Sequence, residues 1–72
     1  MFPDTLEVLK RNLKSQGATE FRVTKRNYAI IGGTLVIVTR FKFKLRGKQM
    51  YGAWEPETGF YETEEKPIGK IS

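Results

Sequence analysis

The feature that most restricts the fold of this chain is a thirteen-residue run, Thr34 to Arg46, in which side-chain character alternates. Its odd-numbered positions are apolar apart from Thr39, and its even-numbered positions from Arg40 onward are cationic. A period of two is typical of a β-strand with one face toward a core, and it excludes an amphipathic helix. The run spans about 40 Å when fully extended, so we expect it to twist or bend near Thr39.

A pair of glycines, Gly32-Gly33, precedes this strand and has the composition of a two-residue hairpin loop. The loop places Ile31 opposite Thr34 and predicts a strand on each side. Further upstream, a shorter alternating segment ends where the pattern shifts at Arg26-Asn27. That shift indicates a turn or a bulge between two strands.

The long strand is followed by Gly47-Lys48, which fits a second two-residue loop with glycine first. This loop predicts that Phe41 lies opposite Trp54, with both side chains on the apolar face of the sheet. The segment Pro56 to Gly59 then predicts a third turn, since proline suits its start and glycine its end. That turn places Trp54 opposite Tyr61.

The N-terminal segment is predicted to form a helix from Thr5 to Gln16. Asp4 and Glu7 have the spacing of a capping box, and three leucines recur at helical intervals to form one apolar stripe. Gly17 can adopt the left-handed conformation that ends many helices.

Together these elements predict an α+β fold, with an N-terminal helix followed by a five-stranded antiparallel meander sheet. The same strands curled into a small barrel, with the helix plugging one end, are the alternative. Residues 1–64 are predicted to form one small domain, and residues 65–72 a loose C-terminal tail. A domain of this size buries only about 60% of its unfolded surface, so its stability margin is thin.

The chain contains neither cysteine nor histidine. Disulfides and thiolate zinc sites are therefore excluded, and the commonest general base and metal ligand is missing. The two serines, Ser15 and Ser72, have no imidazole to activate them. We therefore expect no enzymatic activity, no cofactor and no metal.

The charge is distributed unevenly along the chain. Thirteen basic and eight acidic side chains give a net charge of +5. Residues 1–54 carry +8 (eleven basic less three acidic), and residues 55–72 carry −3 (two basic less five acidic). The apolar run from Tyr28 to Val38 is shorter than the ~20 residues of a membrane helix. With no signal-peptide pattern at the N-terminus, the sequence predicts a cytoplasmic protein that does not enter membranes.

A basic strand face is the first candidate binding surface. Cations that alternate along a strand beside an exposed aromatic ring suit the phosphate backbone and the unstacked bases of a nucleic acid. The alternative is a solvated face that Glu55, Glu62 and Glu64 neutralise across the sheet. The predicted nucleic-acid-binding residues are Arg40, Lys42, Lys44, Arg46, Lys48 and Tyr51.

An apolar patch on the same face is the second candidate. One helix covers only one side of a sheet, yet the first hairpin is apolar on both sides. The second side is predicted to be a homodimer or partner interface, or to be covered by the chain itself, including Ile68 and Ile71 of the tail. The predicted interface residues are Ala29, Ile31, Val36 and Val38.

These features predict a small non-enzymatic binding protein. The leading hypothesis is a nucleic-acid-associated regulatory protein that binds through the basic sheet face. The alternative hypothesis is a protein-interaction module, such as an inhibitor or adaptor, that docks through the apolar patch or a free strand edge.

Overall fold

The computed structural model describes residues 3–69 and 71, and it shows an α+β fold. One helix precedes an open antiparallel sheet whose strands lie in chain order, β1-β2-β3-β4. The α+β class is therefore confirmed, whereas the sheet has four strands rather than five and does not close into a barrel. The elements are α1 (Leu6–Ser15), β1 (Ala18–Ile31), β2 (Thr34–Leu45), β3 (Lys48–Glu55) and β4 (Phe60–Glu64).

The missing fifth strand results from the continuity of β1, which runs for 14 residues through the predicted break at Arg26-Asn27. The shift in alternation comes from irregular pairing, because the register with β2 changes between Val23 and Lys25. A bulge inserts an extra residue and moves the following side chains to the other face without ending the strand. β1 therefore pairs with β2 over its whole length instead of folding back on itself.

Helix α1 begins at a cap one residue later than the capping-box spacing predicts. The hydroxyl of Thr5, and not the carboxylate of Asp4, accepts a hydrogen bond from the backbone N–H of Val8 at 3.2 Å. Thr5 is extended, as an N-cap residue must be, and its oxygen satisfies an otherwise unpaired N–H of the first turn. Gly17 follows the helix with φ +93°, the left-handed conformation predicted for it.

The main core lies between α1 and the sheet. Leu9 and Leu13 are buried against Phe41, Phe43 and Trp54, so the apolar stripe of the helix faces the apolar side of β2 and β3. Below, this side of the sheet is called the helix face, and the opposite side the outer face. Apolar burial of this kind supplies most of the stabilisation of so small a domain.

Trp54 also ties the N-terminal segment to the core. Its indole Nε1 donates a buried hydrogen bond of 2.9 Å to the carbonyl oxygen of Pro3. The ring itself is only 6% exposed. A buried indole N–H needs such a partner, so Pro3, which lies two residues before the N-cap, serves as part of the core.

The hairpin between β2 and β3 differs in register from the sequence prediction. Its turn is formed by Arg46-Gly47, with φ +53° and +79°, and not by Gly47-Lys48. Phe41 consequently lies opposite Gly52, and Trp54 lies opposite Thr39. The shift is two residues, so every side chain stays on its predicted face although its partner changes.

Candidate functional site

The first hairpin extends beyond the rest of the sheet. β3 pairs with β2 only from Thr39 to Leu45, whereas β1 pairs with β2 as far as the Gly32-Gly33 turn. Residues 27–31 and 34–38 therefore form a two-stranded ribbon, which has the predicted pairing of Ile31 with Thr34. Because α1 packs over the other end of the sheet, the helix face of this ribbon has no cover from the core.

Four large apolar side chains lie on the helix face of the ribbon, and we call them the apolar ribbon face. Tyr28 pairs with Ile37, and Ile30 pairs with Leu35, so the four are direct cross-strand neighbours. Their exposed fractions are 69% for Tyr28, 60% for Ile30, 63% for Leu35 and 51% for Ile37. Single exposed apolar residues are normal, whereas a contiguous set of this kind is a candidate interaction surface.

The predicted interface residues lie on the opposite side of the ribbon, where the chain covers them itself. Val36 is 4% exposed and Val38 is fully buried in a second cluster with Ala53. Ile68 and Ile71 of the C-terminal segment pack against this cluster. Ala29 and Ile31 are half-buried at the same cluster. The surface available for a partner is thus the opposite face of the same ribbon.

Arg40 contacts the C-terminal segment, part of which packs against the sheet. One guanidinium nitrogen of Arg40 donates to the carbonyl oxygen of Ile68, and the other donates to that of Gly69 at 2.9 Å. This two-point contact is called the Arg40 clasp below. Carbonyl oxygens satisfy the donors of a guanidinium without cancelling its charge, so Arg40 keeps its full positive charge on the outer face.

The other predicted nucleic-acid-binding residues are only partly brought together. Lys42 and Tyr51 are half-buried cross-strand partners on the outer face, and Lys44 is exposed on the same face. Arg46 lies in the turn between β2 and β3. Lys48 lies opposite Leu45 at the end of the sheet and belongs to the helix face. The structure therefore groups Arg40, Lys42, Lys44 and Tyr51, and leaves the remaining two apart.

Two of these cations are paired with carboxylates. The Nζ of Lys44 lies 3.6 Å from a carboxylate oxygen of Glu20, and the Nζ of Lys48 lies 3.1 Å from one of Glu65. Both pairs are largely exposed, so each contributes little to stability. Neither carboxylate belongs to the set that was predicted to neutralise the basic face.

Two cations that face these residues were not among the predicted site residues. Arg22 lies directly opposite Lys42, and Lys25 lies directly opposite Arg40, on the neighbouring strand β1. Lys25 lies in the register that the Gly32-Gly33 turn sets, because the pairing of Ile31 with Thr34 continues without a break to Lys25 and Arg40. The position of Arg22 depends on the bulge between Val23 and Lys25. A second signal was the composition, because residues 21–54 contain eight Lys/Arg and no carboxylate.

The acidic residues predicted to neutralise the basic face lie elsewhere. Glu62 is opposite Ala53 and Glu64 is opposite Tyr51, as predicted, so β3 separates both of them from the cations of β2. Glu55 is not beside Arg40, because the shifted register places Ala53 there.

Glu55 instead holds the turn between β3 and β4. Its side chain is 1% exposed and accepts hydrogen bonds from the backbone N–H groups of Glu57 and Thr58 and from the Thr58 hydroxyl. Burial acts to raise the pKa of Glu55, but these hydrogen bonds outweigh it and leave that pKa below its ordinary value. Glu55 is therefore a structural carboxylate and not a ligand-binding one.

Within residues 3–69 and 71, no helix is long enough and apolar enough to cross a bilayer. Over the same part of the chain, no three acidic side chains come together as metal ligands would. No protein-family model, curated protein or solved structure matches the chain.

Proposed function

We propose that this chain is a non-enzymatic protein-docking module that binds its partner through the apolar ribbon face. The observation that carries the proposal is the exposure of four neighbouring apolar side chains, each more than half accessible. A chain of 72 residues has few large apolar side chains to bury. Full burial of an aliphatic side chain contributes about 1.5–3 kcal/mol, so leaving Ile30, Leu35 and Ile37 more than half exposed forgoes roughly half of that for each.

The C-terminal segment packs on the other side of the ribbon and leaves the apolar ribbon face uncovered. The outer side of the ribbon is covered by Ile68 and Ile71, so the tail stabilises the two strands without using the apolar ribbon face. A free edge adjoins the surface, since β1 is the first strand of the sheet. A partner can therefore bury side chains on the face and also hydrogen-bond to the edge.

The charge around the face selects the chemistry of the partner. Arg26 is the next helix-face residue along β1, opposite Thr39, and it is exposed. No carboxylate occurs between residues 21 and 54 to balance it. Charge complementarity thus favours a protein with an apolar ridge flanked by Asp or Glu side chains.

A second copy of the chain, the partner predicted from the sequence, is less favoured by the same charges. Two copies joined through the apolar ribbon face would bring two domains of net charge +5 together. Like charges across an interface are unfavourable. The predicted interface side chains, Val36 and Val38, are also buried within the chain.

The test uses two peptides that share one apolar core sequence and differ only in the charged residues on either side of it. Peptides flanked by glutamate are expected to shift the NMR signals of Tyr28, Ile30, Leu35 and Ile37, and peptides flanked by lysine are not. Ile30→Ser with Leu35→Ser should abolish the shifts, whereas the matched pair Thr24→Ser with Thr34→Ser should keep them. Equal binding of both peptides, or shifts mapped to another surface, would contradict the proposal. Sedimentation that shows a dimer lost only in the Ile30/Leu35 variant would assign the face to a second copy instead.

A further inference from the structure

Two consecutive cross-strand pairs of like charge lie on the outer face, and we call them the cationic pairs. They are Arg22 with Lys42 and Lys25 with Arg40. Adjacent strands lie about 4.8 Å apart, so such side chains repel each other at short range. Like charges directly opposite each other destabilise a sheet, and here the arrangement occurs twice in a row.

No carboxylate is paired directly with these four cations among the described residues; Glu20 lines the same pocket as Arg22 and Lys42, but its ion pair is with Lys44. Among the side chains that the structure describes, the ion pairs within 4 Å involve Lys44 and Lys48 and no member of the cationic pairs. Glu64 lies across the sheet from Lys42, but Tyr51 stands between them on β3. The Arg40 clasp uses neutral carbonyl oxygens, so it leaves four positive charges in one block.

An aromatic ring adjoins this block. Tyr51 is the cross-strand partner of Lys42 on the side away from Arg22, so a row across three strands reads Arg22, Lys42, Tyr51. The ring is half-buried, which fixes its position and leaves part of it accessible. Cations that follow a phosphate backbone beside a ring on which a base can stack are the combination used by single-strand-binding surfaces.

We propose that the cationic pairs and Tyr51 bind single-stranded nucleic acid, with the phosphates on the cations and a base on the Tyr51 ring. This function is separate from the protein docking proposed above, since it uses the opposite face of the sheet. An anionic membrane is a poorer match, because it offers no base to stack on Tyr51 and because stable anchoring to lipid adds inserted apolar side chains to the attraction of cations. On the outer face, the apolar residues Val36 and Val38 lie beneath the C-terminal segment.

The experiment measures binding of a fluorescent twenty-nucleotide oligo-dT and of the corresponding duplex by anisotropy over a range of salt concentrations. Arg22→Gln with Lys42→Gln is expected to weaken oligo-dT binding at least tenfold. The slope of the logarithm of the binding constant against the logarithm of salt concentration should also become shallower by about 1.4. Two phosphate contacts are lost, and each single-strand contact contributes about 0.7 to that slope. Lys10→Gln with Lys14→Gln removes the same charge from the exposed side of α1, and it is expected to weaken binding less than threefold.

Two further readouts distinguish a binding site from a general charge effect. Because Arg22→Gln with Lys42→Gln removes a like-charge pair, it should raise the denaturation midpoint while binding falls. Tyr51→Leu should weaken oligo-dT binding about tenfold and duplex binding much less, as loss of base stacking predicts.

Several results would overturn the proposal. Equal losses in the Arg22/Lys42 and Lys10/Lys14 variants would show that net charge alone acts. Absence of saturable oligo-dT binding at low salt would exclude the site. Tighter binding to phosphatidylserine vesicles than to oligo-dT would assign the cations to a membrane. The Ile30/Leu35 variant should bind oligo-dT normally, so failure of the docking proposal and failure of this one can be told apart.

Discussion

Gly52 lies directly opposite Phe41, and a Cβ atom at position 52 would come within 2.2 Å of Cζ of the phenylalanine ring. The ring therefore occupies the space that a side chain at position 52 would need. The residues on both sides, Tyr51 and Ala53, point to the outer face, so no neighbouring side chain competes for this space. The glycine therefore suits the register between β2 and β3, because any side chain opposite Phe41 in this register would clash with its ring.

Gly52→Ala is accordingly expected to lower the free energy of unfolding by about 1–3 kcal/mol, the usual cost of overpacking a core. Urea denaturation followed by circular dichroism measures the change. Gly69→Ala is the matched control, because its added Cβ would meet no atom within 4 Å and its backbone carbonyl remains to accept from Arg40. Equal urea midpoints for the two variants would contradict the packing of the Phe41 ring over Gly52.

The hydrogen bond from Trp54 to Pro3 gives a second prediction. Trp54→Phe leaves the Pro3 carbonyl without its donor in a buried place, and an unsatisfied buried polar group costs about 1–3 kcal/mol. Tyr61→Phe changes an aromatic ring that is 38% exposed, and it should shift stability by less than about 0.5 kcal/mol. The native protein should also show Trp54 fluorescence at shorter wavelength than free indole. Emission typical of an indole in water would contradict the burial of this ring.

The Arg40 clasp predicts the behaviour of the C-terminal segment. Arg40→Met keeps the aliphatic part of the side chain but removes both donors, so residues 65–69 and 71 should lose protection from hydrogen exchange. Lys42→Met, two residues along the same strand face, is the control and should leave the segment protected. The two hydrogen bonds of the Arg40 clasp come from a charged group, and such bonds contribute about 1.5–3 kcal/mol each to the stability of the contact. Unchanged exchange rates in Arg40→Met would show that the isoleucines alone hold the segment.

The low pKa of Glu55 predicts a loss of stability in acid. Its folded-state pKa lies below its ordinary value, so ionisation favours the folded state. The contribution is complete above the ordinary glutamate value of about 4.3 and is lost as the pH falls through the folded-state pKa. Denaturation midpoints between pH 2 and pH 6 measure it. Glu55→Gln should reduce this dependence, whereas Glu57→Gln should retain it because the Glu57 backbone N–H still donates to Glu55.

The parts of the fold that depend on residues close together in the chain were predicted correctly from the sequence. The helix, the Gly32-Gly33 turn and the pairing of Trp54 with Tyr61 follow from leucine spacing and from turn residues, and the structure has all three. Arg46 departs from such rules. It has a left-handed backbone conformation and forms the first residue of the turn, whereas the sequence predicted a turn at Gly47-Lys48. Non-glycine residues adopt this conformation rarely, and in the register that it produces the Phe41 ring packs over Gly52.

The candidate surfaces were harder to predict because they depend on contacts between distant parts of the chain. Alternation shows that Val36 and Ile37 point to opposite sides, but it does not show which side is covered. The answer depends on where α1 ends and on where Ile68 and Ile71 pack. The position of Arg22 opposite Lys42 likewise depends on the bulge between Val23 and Lys25, because the break in alternation does not show whether the chain turns or bulges.

The Arg40 clasp has a consequence for the sequences that this fold can accept. Arg40 donates to main-chain oxygens, which every amino acid supplies, so position 69 can change residue without loss of the contact. Position 40 has no such freedom, because no other side chain presents two donors in the same planar fork. A saturation library scored for folding should therefore tolerate many residues at position 69 and enrich arginine at position 40.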